Sequence, residues 1–117
     1  MVLLNRIESC PALTVLSTVV SRPAYNRAVL DAGKKAIGAG QHPPLVKDWD
    51  DATVVMHSAE HIVLQLGPAS RELRIGDQVE LIVGCSDLTT MLHDDYVCCR
   101  EDRVEAVWPI LARGKLV

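Results

Sequence analysis

The sequence predicts an all-β or mainly β domain, a small antiparallel barrel or sandwich of about six or seven strands with at most one short helix. Three observations lead there. Short apolar runs rich in Val, Thr and Ile recur at regular spacing, separated by Gly, Pro, Asn and Asp. Sustained helical periodicity is absent. Aromatic residues make up only 3% of the chain and Phe is missing, so the core must be built from Val, Leu, Ile and Ala.

Taken in order, residues 11–21 are rich in β-branched types and read as a strand. Arg22-Pro23 breaks it. Residues 27–33, Arg-Ala-Val-Leu-Asp-Ala-Gly, allow either a helix or a strand. Residues 38–50 carry two Gly and two Pro with Gln41 and Asp48, and read as a loop. Thr53-Val54-Val55-Met56 is strand-like. So is Ile62-Val63-Leu64-Gln65-Leu66, where Ile62, Leu64 and Leu66 share a face. The Gly76-Asp77 turn launches a strand over Val79–Val83. Tyr96–Cys99 and Val104–Trp108 flank the charged tetrad Arg100–Arg103, which marks a hairpin with a solvated turn. Leu111–Lys115 is polar and peripheral.

The totals set limits. A chain of 117 residues with 49% hydrophobic content makes one domain with a packed core, here taken as residues 1–117. A formal net charge of −3 gives no electrostatic case for nucleic acid or anionic membranes. No stretch approaches the ~20 apolar residues of a membrane span. The start, Met1-Val2-Leu3-Leu4-Asn5-Arg6, does not have the layout of a signal peptide, so a cytoplasmic location is expected. The four cysteines, Cys10, Cys85, Cys98 and Cys99, include no CxxC spacing for a structural zinc cluster, and a disulfide framework is not expected.

Candidate chemistry concentrates in Ile82–Asp94. Cys85 and Asp87 stand two residues apart just after an apolar run. In an extended chain they share a face with Cα atoms roughly 6.5–7 Å apart, so both could reach one metal ion or ligand. The alternative is a strand-to-turn exit with a half-buried Cys and an Asp that caps the turn. A second pattern, His57-Ser58-Ala59-Glu60-His61, spells H-x-x-E-H. That metallohydrolase chemistry needs a helix to set both histidines on one face. The flanking runs are β-rich, and in extended chain the two imidazoles would lie roughly 13 Å apart. A turn or strand edge with surface histidines is the competing reading.

Six segments in order carry a resemblance: Ser58–His61, Ile75–Val79, Cys85–Thr90, Leu92-His93-Asp94, Val107–Ile110 and Ala112–Lys115. Together with Leu13–Pro23 and Arg27–Ala36 they are similar to the C-terminal domain of the D-serine dehydratase and D-threonine aldolase family. The resemblance implies a two-domain enzyme dependent on pyridoxal phosphate (PLP), in which an α/β barrel carries the Schiff-base lysine. A C-terminal β-domain closes the active site and supplies two metal ligands. This chain looks like the β-domain alone. Lys34, Lys35, Lys47 and Lys115 do not match the lysine motif of the family's barrel, and residues 1–10 are too few to hold one.

The family's ligand pair is His-x-Cys in dehydratases and His-x-Asp in aldolases. Aligned through Leu92-His93-Asp94, the pair falls on Cys85 and Asp87, so Asp87 fits the aldolase type and a thiol replaces the imidazole. A thiolate suits zinc and suits manganese or magnesium poorly, so the site is either retuned toward zinc or lost. His61 falls on the family's Glu-His pair, where it could orient the site or a substrate; a polar residue satisfied within the barrel is the alternative. The resemblance thus implies a lid-like domain of a D-amino acid lyase without turnover of its own. It would act with a separate barrel, or as a homo-oligomer that covers its exposed mouth. A non-catalytic metal- or protein-binding module is the second reading, and a metallohydrolase built on His57, Glu60 and His61 the third.

Overall fold

The computed structural model describes residues 11–115. The expectations about the start of the chain and Cys10 lie outside these residues. Eight strands, one short helix and one 3₁₀ turn follow in the order β1 (Thr14–Ala24), β2 (Arg27–Leu30), β3 (Leu45–Val46), β4 (Thr53–His57), β5 (Ile62–Gln65), a 3₁₀ turn (Ser70–Glu72), β6 (Gln78–Ile82), α1 (Ser86–Thr90), β7 (Asp95–Arg100) and β8 (Arg103–Pro109). Strand-rich sequence has produced a mainly β fold, as its composition predicts.

Six strands pair in the order β3-β6-β1-β2-β5-β4. Every pairing is antiparallel. The two end strands touch, so the sheet curls into a nearly closed barrel. Alternation sets what goes inside. In β5, Ile62 and Leu64 are fully buried while Val63 and Gln65 are only half so. In β6, Val79 and Leu81 point inward by the same rule. Val19, Ala28, Leu30 and Ile37 complete the centre of this core. The remaining pair, β7 and β8, forms a sheet of its own.

Four local expectations change or are decided. β1 does not stop at Arg22-Pro23 but runs to Ala24, because register shifts between Val19, Ser21 and Ala24 open a bulge that tolerates proline. Residues 27–30 resolve as strand: Ala28 and Leu30 are buried on one face and pair with β5, which a helix could not do. The 38–50 loop contains the two-residue strand β3, recruited by the edge of β6. The single α-helix lies at Ser86–Thr90, not near residues 27–33. The hairpin appears where expected, with only Glu101 and Asp102 in its turn. Among the described residues no helix is long and apolar enough to cross a membrane.

Topology gives the barrel two distinct ends. Leu30 pairs with Ile62, Ile62 with His57, and Ile82 with both Thr14 and Leu45. The segments 31–44, 58–61 and 83–94 therefore all leave the sheet at one end. Tyr25-Asn26, the segment 47–52 and the stretch from Leu66 to Asp77 occupy the other.

Candidate functional site at one end of the barrel

All three residues singled out in the sequence, Cys85, Asp87 and His61, sit at the same end of the barrel. They do not share an extended strand. β6 ends at Ile82, and Cys85 is the N-cap of α1, with extended backbone at φ −149° and ψ 115°. Asp87 lies in the first turn of that helix. The strand-face geometry expected for Cys85 and Asp87 is thus replaced by a cap and a first turn, because the chain coils at Ser86. Cys85 is half-buried and its thiol makes no capping bond; Asp87 is exposed. The Ser86 hydroxyl lies 3.5 Å from Asp87 Oδ1.

Helix α1 spans only five residues, too few to hold itself. Its support comes from the 33–44 segment. The Gly38 N–H donates to Thr89 Oγ1 at 3.1 Å, and the Thr89 hydroxyl donates to the Cys85 carbonyl at 2.8 Å. Thr89 is thereby a fully satisfied buried polar group. After the helix, the His93 ring Nε2 meets the Ala36 carbonyl at 2.7 Å. Sequence reasoning quoted Thr89 and His93 without giving them a role; a hydroxyl four residues after the cap was the available signal.

Three glycines make this docking possible. A Cβ at Gly40 would stand 2.7 Å from the Gly84 carbonyl carbon, inside any real contact. A Cβ at Gly38 would collide with Leu88, and one at Gly84 with the His42 carbonyl. The 38–42 loop and the 84–88 segment meet backbone to backbone, which only glycine permits. This seam fixes where Cys85 and Asp87 stand on the rim.

The H-x-x-E-H pentad is a hairpin loop and not a helix. The Ser58 N–H and hydroxyl both donate to the His61 carbonyl, at 2.9 and 3.0 Å, and the His61 N–H returns a bond to the Ser58 hydroxyl at 3.2 Å. His57 and His61 therefore do not share a helical face, which corrects the metallohydrolase reading. The β-rich flanks dictated this outcome. His57 is half-buried at the end of β4, its Nε2 without a partner, and it lines a cleft of about 270 Å³ against the 38–44 loop. Among the described residues no three His, Cys, Asp or Glu side chains converge as a metal cluster.

His61 is exposed and alternates with buried Ile62, so it faces outward from the barrel wall rather than into the interior. Extending the Leu30–Ile62 register places it opposite Asp31. Burial pushes the Asp31 carboxyl up, but bonds from the Thr18 N–H and the Ser17 hydroxyl outweigh it, and His61 adds to the lowering. Beside it, Lys35 pairs with Glu60. Gly33 lets this loop lie directly on the Ala59–His61 backbone.

Comparison with known proteins fits this geometry. The family model described as "Putative serine dehydratase domain" matches residues 12–99. A 3-hydroxy-D-aspartate aldolase of Paracoccus denitrificans is 38% identical over 104 residues, covering 89% of this chain and 26% of the aldolase. The chain thus spans about a quarter of that relative's length. A Mycobacterium tuberculosis protein described only as uncharacterised is 31% identical over 113 residues, covering 89% of this chain and 85% of that protein. Among solved structures, D-threonine aldolase from Filomicrobium marinum superposes with a TM-score of 0.83 at 27% identity, covering 89% of this chain and 29% of the enzyme. Sequence and fold agree, and the chain belongs to the serine dehydratase-like domain family.

Proposed function

We propose that this chain is the metal-holding, site-closing β-domain of a PLP-dependent D-amino acid lyase of the D-threonine or 3-hydroxy-D-aspartate aldolase type. One observation carries the reading: Cys85 and Asp87 occupy the cap and first turn of α1, two residues apart, on a rim held by the Gly38–Gly40–Gly84 seam. A thiolate and a carboxylate are two of the four donors that zinc takes, leaving positions for solvent and substrate. The donor set therefore fits zinc, with Cys85 and Asp87 as ligands. When bound, PLP supplies an electron sink and the metal a Lewis acid for a substrate hydroxyl.

The chain's own residues have defined tasks in this scheme. Cys85 and Asp87 hold the ion. Thr89 and His93 keep α1 seated. His61, beside Asp31, faces the approach to the rim. Two of the lysines are tied up in surface ion pairs. Lys35 and Lys47 are engaged by the Glu60 and Glu80 carboxylates, whose bonds push each lysine above its ordinary 10.5.

Elemental analysis tests the metal site. The expected result is about one zinc per chain in the parent and loss of it in Asp87→Ala, with circular dichroism unchanged. Equal metal in both removes Asp87 from the site. Turnover of D-threonine or D-serine by this chain with PLP alone would overturn the assignment of catalysis to a separate large domain. The mycobacterial relative, most of which this chain covers, favours a second reading. In that reading this β-domain serves as a non-catalytic metal- or protein-binding module. Activity that appears on adding a barrel polypeptide separates the two.

A further inference from the structure

β7 and β8 form a sheet of two strands, and among the described residues no third strand pairs with either. Two strands alone are marginal in water; a third and fourth make a stable sheet. One hydrogen bond ties the hairpin to α1, and two contacts close its own base. The Tyr96 hydroxyl donates to Thr90 Oγ1 at 3.1 Å, the Ile110 N–H to the Asp94 carbonyl at 2.8 Å, and Arg113 pairs with Asp94 at 2.9 Å. Yet Val97, Val104, Val107, Trp108 and Leu111 are exposed by 56% to 85%. Register sets Val97 against Val107 and Cys99 against Val104, so these four share one face.

The two edges of the hairpin are unequal. Cys98 faces Ala106 while Cys99 faces Val104, so Glu105 is an extra residue and β8 is bulged. A bulge blunts a strand edge. β7 is regular between Asp95 and Cys98, contains no proline, and leaves its outer N–H and C=O groups open.

We infer that β7 is a self-pairing edge. Two copies of this chain join β7 to β7, antiparallel, about a two-fold axis at Val97, and build one four-stranded sheet. Such an axis stands normal to the sheet, so one residue must face its own copy. Centring on Val97 sets Arg100 of each copy opposite Asp94 of the other; both side chains are largely exposed, at 76% and 74%, and each shares a surface ion pair of its own chain, Arg100 with Glu105 and Asp94 with Arg113. It also lines up Val107, Val97 and their two counterparts as a row of four β-branched side chains across the sheet. Centring on Cys98 instead sets Asp95 against Glu101 and Asp94 against Asp102, which are like charges. Centring on Tyr96 leaves Arg100 opposite Leu92. Charge and the valine row select the same register.

Light scattering on the full chain at tens of micromolar tests this. A dimer is expected, and Val97→Asp, which sets two carboxylates face to face, is expected to yield a folded monomer. A second variant fixes the register. Directly opposed residues lie about 4.5–5.5 Å apart at Cα, within disulfide reach. With Cys98 and Cys99 replaced by Ser, Val97→Cys should form a covalent dimer on mild oxidation, and Val104→Cys, out on the bulged strand, should not. A monomeric parent, a dimer that survives Val97→Asp, or equal cross-linking at both positions would overturn the inference.

Discussion

In the proposed metal site, Cys85 is the position where one atom would decide the chemistry. A soft sulfur donor favours zinc, whereas the imidazole of the family's His-x-Asp pair accepts harder ions such as manganese. Restoring the imidazole with Cys85→His is expected to move preference toward manganese by about tenfold or more, read by competitive loading of the two metals. Unchanged preference would mean that residue 85 is not a ligand. Both ligand candidates were legible in the sequence because they lie beside Leu92-His93-Asp94, but their geometry was not. Extended spacing was the natural expectation after an apolar run. The coil at Ser86 depends on Thr89 meeting Gly38, a contact across fifty-one positions that no local pattern encodes.

Elements of this fold were legible in proportion to how local their causes are. β5 and β6 announce themselves by alternation, and the hairpin by charges between two β-rich runs. β3 and α1 are too short for propensity to choose them, and each exists because a neighbouring segment offers it partners. The hairpin turn is local and strained. Glu101 and Asp102 sit at φ 48° and 62°, the left-handed region that a two-residue type I′ turn requires and that Asn-Gly fills best. Such a conformation costs a side-chain-bearing residue roughly 1–2 kcal/mol. Replacing the pair with Asn-Gly should stabilise the hairpin by about 1 kcal/mol. Slower amide exchange across β7 and β8, with barrel amides unchanged, is the readout. The glycine seam behaves oppositely. Gly40→Ala forces backbone apart at Gly84 and should destabilise the chain by about 1–3 kcal/mol in urea titration.

At the scale of the whole molecule, a barrel that closes with short strands depends on side chains that bind one strand to the next. Asp31 is one: its Oδ1 accepts from the Ser17 hydroxyl at 2.7 Å and the Thr18 N–H at 2.9 Å, joining the end of β2 to β1. Glu80 is another, taking Lys47 at 3.0 Å through both oxygens and the Thr14 hydroxyl at 2.9 Å, so β6 is tied to β1 and to the segment after β3. The Lys47 and Thr14 bonds lower the Glu80 carboxyl below its ordinary 4.5, and Asp31 lies below its ordinary 3.8 for the reasons given above. Both groups hold protons less readily folded than unfolded. Their contribution to stability is therefore complete above the ordinary values and disappears as pH falls through the lowered ones. The urea midpoint should begin to drop near pH 4.5 and keep falling below pH 3.8. An Asp31→Asn, Glu80→Gln variant should be less stable at neutral pH and lose less on acidification, because neither amide titrates. Exposure of both carboxylates keeps the effect modest, so the comparison of slopes, not of absolute midpoints, is the sensitive measure. Parallel acid slopes in parent and variant would transfer the acid sensitivity to other carboxylates, with Asp51 next: burial raises it, but bonds from Ser70 and the Ala69 N–H prevail and lower it, at the far end of the barrel.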